Sequence, residues 1–306
     1  MVKNVVANKN KICSSKSDKV FDATNITLSI LALLIVLVPL IHIVACSFSS
    51  GSAVQSGRVT VYPVEFTLTA YDMVFQYRDI WIGYRNTIYY TVVGTVLNVA
   101  CTILAAYPLS RQDLIGNSLI MRLMIFTMMF SGGLIPSYLL VKDLRLLNTS
   151  WALWLPGLFS VYNMIVMRTF FRTTIPLELL EAAQMDGCTN RRFLWSIVIP
   201  LSGTIIAVMV LFYAIGHWNN YFSSMLYITT KSKYPLQLFL REILIASEID
   251  YSAMTGSTVK EMLRKQELKL LMKYAIIVVS SAPVLCMYPF VQKYLVKGVM
   301  IGSIKG

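Results

Sequence analysis

Residues 176–200 read PLELLEAAQMDGCTNRRFLWSIVIP, from Pro176 to Pro200, and the rest of the chain is understood outward from them. Thr173, Thr174 and Ile175 lead into Pro176, which suits the first position of a helix because its missing N–H is not needed there. Glu178 and Glu181 fall in the first turns, where negative charge complements the helix dipole. Leu177, Leu180 and Ala183 recur at three-residue steps and share a face. Gly187 ends the run, as glycine does just beyond a helix C-terminus. The spacing predicts a short amphipathic helix, stopped sharply, then a second segment climbing to Pro200. Small Ala182 and Ala183 let a partner surface come close. A short rigid helix transmits a push that a floppy loop absorbs.

The flanks are apolar. Of 306 residues, 56% are hydrophobic and 14% charged, and the mean hydropathy is +0.63. Soluble domains carry far more charge. A bilayer core about 30 Å thick needs roughly 20 apolar residues per helix. Six stretches qualify: about Thr27–Cys46, Thr87–Leu109, Leu119–Val141, Trp151–Phe171, Ile197–Leu226 and Met272–Leu295. They are continuous rather than alternating, so they predict helices, not barrel strands. The expected class is an all-α membrane protein with six transmembrane helices.

Lys and Arg set the orientation. With the N-terminus cytoplasmic, 14 of the 27 lie inside, and eight of the remainder sit in one long outer segment, Lys231–Lys273. Long translocated segments obey the charge rule less strictly, so both termini are expected in the cytoplasm. The net charge of +12 then reads as contact with anionic lipid at the inner leaflet. Nucleic-acid binding is not expected, because no basic stripe is interleaved with aromatics. Five scattered cysteines, Cys13, Cys46, Cys101, Cys188 and Cys286, contain no Cys-x-x-Cys, and no disulfide is expected. Ile43–Cys46 has the look of a lipoprotein cleavage box, but the apolar leader is long for a signal peptide. Cys46 is read as a small residue closing the first span.

Residues 1–20 are rich in Lys, Asn and Ser and read as a disordered cytoplasmic tail. Residues 21–83 would hold the first span and an outer segment, in which Phe66–Phe75 suggests a short surface helix. Residues 84–294 would form the main membrane domain, and 295–306 a cytoplasmic C-terminal tail. Gly132-Gly133 with Pro136, Pro156-Gly157, and Pro283 with Pro289 place helix breakers inside spans. Such breakers persist in lipid where neighbours or water satisfy the freed backbone groups. Leu236–Ile245 and Val259–Leu271 are amphipathic, either as a solvated face or as a surface for an external partner.

The order Glu181-Ala182-Ala183, Gly187, then Ile197-Val198-Ile199-Pro200 resembles the EAA loop of binding-protein-dependent ABC importers, with Ile199 where Leu is usual. Other stretches are similar to carbohydrate permeases: Asn86-Thr87, Tyr90–Thr95, Ala105–Arg111, Phe130–Pro136, Gly216–Asn219 and Lys297–Gly302. The resemblance covers about residues 60–306 and is to lipoprotein-dependent complex-sugar permeases of Gram-positive bacteria, relatives of the smaller maltose-type membrane subunit. It implies a type I ABC importer permease fold with a cytoplasmic EAA coupling loop. It also implies a second, different permease subunit, a homodimeric ATPase that several importers can share, and an extracellular solute-binding lipoprotein. Glu178, Glu181, Ala182, Ala183 and Gly187 would then couple the chain to its ATPase.

The chain has no Gly-x-x-x-x-Gly-Lys-Ser/Thr loop and no His-Glu-x-x-His, so no catalysis, metal site or cofactor is expected here; ATP and Mg²⁺ would bind the partner ATPase. No Asp or Glu lies in any expected span, unlike proton- or sodium-coupled carriers. The alternatives are an ABC permease for a non-sugar solute and a stand-alone secondary transporter. A saccharide path needs hydroxyl-bonding groups and flat apolar faces. The candidates are Tyr162, Asn163, Tyr213, His217, Trp218, Asn219 and Asn220, with Asn98 weighed more as a helix–helix hydrogen bond.

Overall fold

The computed structural model describes residues 15–248 and 259–303. All regular structure among them is helical. The helices used below are α1 (Lys16–Ser47), α2 (Arg78–Ser110), α3 (Asn117–Met129), α4 (Leu134–Asp143), α5 (Val161–Thr174), α6 (Leu177–Met185), α7 (Gly203–Trp218), α8 (Leu236–Glu248) and α9 (Val259–Ser303). The chain divides into two compact units, residues 1–70 with 258–275, and residues 71–257 with 276–306.

In the first unit, Ser15 and Asp18 form a capping box that starts α1; the Ser15 N–H donates to Asp18 Oδ2 at 2.8 Å. The last five residues of the expected tail are therefore helical from Lys16 onward, and residues 1–14 lie outside the described residues. The large apolar side chains from Val20 to Leu40 are all 40% exposed or more, as a lipid-facing helix allows. Packing begins at His42, which bonds Thr60 O at 2.8 Å and meets Tyr274 edge-on, and is complete at Ala45 and Cys46, against Ala53 and Val59. A short helix at Thr69–Gln76 stands close to where Phe66–Phe75 suggested one, later because Thr67 N–H is bonded to Phe48 O at 3.0 Å.

The second unit is organised on α2, 33 residues long, about 50 Å. One face carries Gly83, Thr87, Thr91, Gly94, Asn98, Thr102 and Ala106, all buried. Small and hydroxyl residues three or four apart let helices approach closely where apolar burial supplies no drive. A methyl group on Gly83 would lie 2.9 Å from Leu236 Cα, and one on Gly94 2.5 Å from His217 Nε2. The stripe also bonds its neighbours. Thr87 Oγ1 accepts the Leu236 N–H at 2.8 Å, and the Asn86 amide donates to the carbonyls of Ser232 and Tyr234. The Tyr90 hydroxyl donates to Lys233 O.

Three helical stretches are long and apolar enough to cross a membrane: Lys16–Ser47, Arg78–Ser110 and Glu267–Met287. Two bent pairs raise this to five among the described residues. Asn117–Met129 and Leu134–Asp143 meet at 109°, and Asn190–Leu201 and Gly203–Trp218 at 82°. The expected spans Leu119–Val141 and Ile197–Leu226 are thus bent, the first at the breakers noted in its sequence. Gly133, with φ +89°, turns the first. The second carries a π-helical segment at Leu194–Val198 and bends at Ser202, after Pro200; π turns and proline both disturb the helical ladder. The expected span Trp151–Phe171 is two pieces, Trp151–Trp154 and α5, separated at Pro156-Gly157. With 14 residues, α5 is about 21 Å long.

The expected last span, Met272–Leu295, belongs to the 45-residue α9. That helix also takes in Val259–Leu271 and most of the expected C-terminal tail. Residues 249–258 of the long outer segment and 304–306 of that tail lie outside the described residues.

Replacing Gly83 or Gly94 by Ala should lower stability by about 1–3 kcal/mol through overpacking, whereas Gly132, with open space around its Cβ position, should tolerate Ala far better. The check is the thermal midpoint of detergent-purified protein by size-exclusion chromatography. Equal midpoints for the Gly83 and Gly132 variants would contradict the close packing.

Candidate functional site: the α6 turn and the Asn98 cavity

Helix α6 begins one residue later than the sequence predicts. Pro176 is the N-cap, with φ −61° and ψ 146°, and the helix runs from Leu177. An extended conformation before a helix suits a residue with fixed φ and no N–H. The C-terminus is a Schellman motif. Gly187 N–H bonds to Gln184 O at 3.0 Å and Cys188 N–H to Ala183 O at 2.9 Å. Gly187 has φ +71°, the left-handed region that side chains resist. The next segment starts at once, with the Thr189 hydroxyl accepting the Arg192 N–H at 3.4 Å as its N-cap.

Leu179, Leu180, Ala183 and Cys188 pack against a core that includes Tyr107, Phe171, Phe193 and Val198. Glu178, Glu181, Ala182 and Met185 are exposed. Their spacing is i, i+3, i+4, i+7, so they form one stripe. Met185 is 88% exposed. Of the two alanines expected to admit a partner, Ala182 faces out and Ala183 faces the protein's own core. Met185 was missed by sequence reasoning, although its spacing from Glu178 and Glu181 carries the signal.

The loop after α2 lies beside this turn. The Arg111 guanidinium grips Asp113 with two bonds, Nε–H to Oδ1 at 2.8 Å and Nη2–H to Oδ2 at 2.6 Å. Its Nη1 donates to Asn190 Oδ1 at 3.0 Å and to the Tyr107 hydroxyl at 3.3 Å. These bonds, Asp113 first, hold the Arg111 charge more firmly than usual, and Arg111 in turn keeps the Asp113 carboxyl below the ordinary carboxylate range. The carbonyl of Leu109, free at the end of α2, is capped by Arg168 at 2.6 Å and Asn117 at 3.0 Å. A pocket of about 340 Å³ opens between Tyr107, Arg111, Phe171, Arg172, Leu177 and Leu180.

Higher on α2, the Asn98 amide joins three elements. Its Nδ2 donates to Gly157 O at 2.6 Å, and His217 Nε2 bonds its Oδ1 at 2.7 Å. The carbonyl of Gly157 can only accept, so the amide oxygen faces His217 and His217 Nε2–H is the donor. Thr102 Oγ1 donates to Asn98 O, so the Tyr213 hydroxyl donates to Thr102 Oγ1, each at 2.7 Å. Asn98, Pro156, Gly157, Tyr213, His217 and Asn220 line a cavity of about 230 Å³, room for about seven waters. Tyr213, His217 and Asn220 are therefore together. Trp218 points to another face of α7, where its Nε1–H donates to Ser280 O at 3.2 Å. Asn219 is exposed, Tyr162 is 60% exposed and Asn163 is buried on α5; none of them lines the cavity.

The chain matches, over residues 98–301, the family described as "Binding-protein-dependent transport system inner membrane component". It belongs to this family. It is 40% identical over 293 residues to protein LplC of Bacillus subtilis, covering 96% of this chain and 97% of that one. It is 39% identical to the polygalacturonan/rhamnogalacturonan transport system permease protein YtcP of the same organism, covering 94% and 99%. A crystal structure of a bacterial ABC transporter involved in import of the acidic polysaccharide alginate contains a chain that superposes with a TM-score of 0.82 at 34% identity, covering 92% of this chain and 98% of that chain. The fold is thus that of a type I ABC permease, and the chain is a multi-pass plasma-membrane transporter subunit, not an enzyme. Such a subunit implies a partner permease, an ATPase and a solute-binding protein.

Asn98→Ala should cost about 1–3 kcal/mol, because it removes two hydrogen bonds, to Gly157 O and from His217 Nε2–H, made by a buried amide. A thermal midpoint unchanged from wild type would show that the three-way bond is not made.

Proposed function

We propose that this chain is one of two different permease subunits in an ATP-driven importer of oligosaccharides, received from an extracellular solute-binding lipoprotein. The chain would cross the membrane six times: three straight helices, two bent pairs, and α5 with the Trp151–Trp154 turn. Both termini would lie in the cytoplasm, which puts α6 there too. ATP and Mg²⁺ would be held by the homodimeric ATPase, not by this chain. The path would run by the cavity at Asn98, Tyr213, His217 and Asn220, whose amides, imidazole and hydroxyl suit sugar hydroxyls.

The observation that carries this reading is the exposed stripe Glu178–Glu181–Ala182–Met185. It lies on a helix whose other face is locked into the core and whose end is fixed by Gly187. A partner that moves this stripe moves the helix as a rigid piece. The names of the relatives favour acidic saccharides such as pectin or alginate fragments. A strain deleted for this chain, offered labelled digalacturonate, alginate trisaccharide and maltose, should lose uptake of an acidic oligosaccharide and keep that of maltose; the reverse pattern would contradict the acidic assignment.

Glu181→Ala and Gly187→Ala should lower uptake at least about tenfold while the subunits still co-purify, the Gly187 change also straining the backbone by about 1 kcal/mol. Unchanged uptake in both variants would refute coupling through α6.

A further inference from the structure

We propose that Arg111 is a positioning residue that ties the turn beyond α6 to the cytoplasmic end of α2, so that displacement of α6 is passed to α2. The inference rests on the coupling role of α6 given above. Three observations carry it.

The first is connectivity. Asn190 is three residues past Gly187, at the first position of the segment that leads through the π-helical turn to α7. Arg111 caps the C-terminus of α2. The 3.0 Å bond from Arg111 Nη1 to Asn190 Oδ1 joins points 79 residues apart in the chain, and the Tyr107 hydroxyl reaches Asn190 O beside it at 3.5 Å.

The second is rigidity. The Arg111 side chain is only 10% exposed, and Asp113 holds two of its nitrogens at once. A bidentate carboxylate fixes the plane of a guanidinium, which leaves the third nitrogen aimed at Asn190. Asp113 thus orients the group rather than merely neutralising it. Lysine, a point charge on a flexible stem, cannot make both contacts in that geometry.

The third is what lies along α2. The pocket of about 340 Å³ lined by Tyr107, Arg111, Leu177 and Leu180 leaves space beneath the start of α6, so packing there is incomplete, and Arg111 makes its polar link at the turn beyond the helix instead. Further along, near its middle, α2 carries the Asn98 bond to His217 and Gly157, at the cavity. A shift of α2 therefore acts on the residues that line the path.

The test uses the complete importer reconstituted in liposomes: this chain, its partner permease, the ATPase and the binding protein. Uptake of whichever acidic saccharide the wild type accepts from the panel above, digalacturonate or alginate trisaccharide, is measured together with ATP hydrolysis. Arg111→Lys and Asn190→Ala should each reduce saccharide imported per ATP by about tenfold, the size implied by a lost hydrogen bond to a charged group, with subunit co-purification unchanged. Asn190→Asp should keep the coupling ratio, and the R111K/N190D pair should recover most of it, which a purely structural defect would not. If Arg111→Lys does not assemble, Asn190→Ala decides, since it removes the acceptor and leaves the guanidinium with Asp113.

Wild-type ratios in both Arg111→Lys and Asn190→Ala would overturn the proposal. Glu181→Ala serves as the control. If it abolishes uptake while the Arg111 and Asn190 variants retain their ratio, only the link is wrong. If it too transports normally, the coupling role of α6 falls with it.

Discussion

A backbone immersed in hydrocarbon must find its hydrogen-bond partners within the protein, and here one helix supplies many of them. The buried stripe of α2 is polar where a soluble helix would be aliphatic. Asn98 takes the carbonyl freed at the Pro156-Gly157 break, Thr87 takes the first amide of α8, and the carbonyl of Tyr90 receives the Trp154 indole N–H at 3.2 Å. The first two bonds satisfy backbone groups left where a neighbouring segment breaks or starts, and the third holds the short Trp151–Trp154 turn to α2. The breaks in the other segments and the polarity of α2 are two sides of one arrangement.

That arrangement has a mechanical consequence. Elements held to α2 by short polar bonds have a defined alternative only if those bonds exchange or move together. At the base, the Schellman turn makes α6 and the start of the following segment one piece, and Arg111 joins that piece to α2. At the cavity, Asn98 and His217 join α2 to α7. The same helix therefore joins the turn beyond α6 to the Asn98 cavity. Within the second unit α2 is continuous from Arg78 to Ser110, whereas two of the segments beside it are bent.

Much of this was legible in the sequence. The apolar blocks gave the membrane class, and Pro176, Glu178, Glu181 and Gly187 gave the extent of α6 to within one residue, because caps and glycine stops are local devices. The bends were only partly legible. Gly132-Gly133 and Pro136 marked a place where a helix falters, but hydropathy counts apolar residues and carries no angle, so neither the size of that bend nor the bend in Ile197–Leu226 could be read. Trp151–Phe171 divides into two helical pieces at Pro156-Gly157, a break that the sequence itself marked. The candidate path residues split for a related reason: His217 and Trp218 are adjacent in sequence, yet successive helical residues point about 100° apart, and one faces Asn98 while the other faces Ser280. The Arg111–Asn190 bond joins residues 79 apart, and no local pattern announces it.

The central claim is that the outer face of α6 is where the motor grips the chain. Its most direct measurement is maleimide labelling of Met185→Cys in a chain whose own cysteines are replaced by serine, compared between the permease pair alone and the full complex with its ATPase. The account predicts fast labelling in the permease pair and strong protection, by about tenfold or more, once the ATPase is bound. Equal labelling in both preparations would place the contact elsewhere and contradict it.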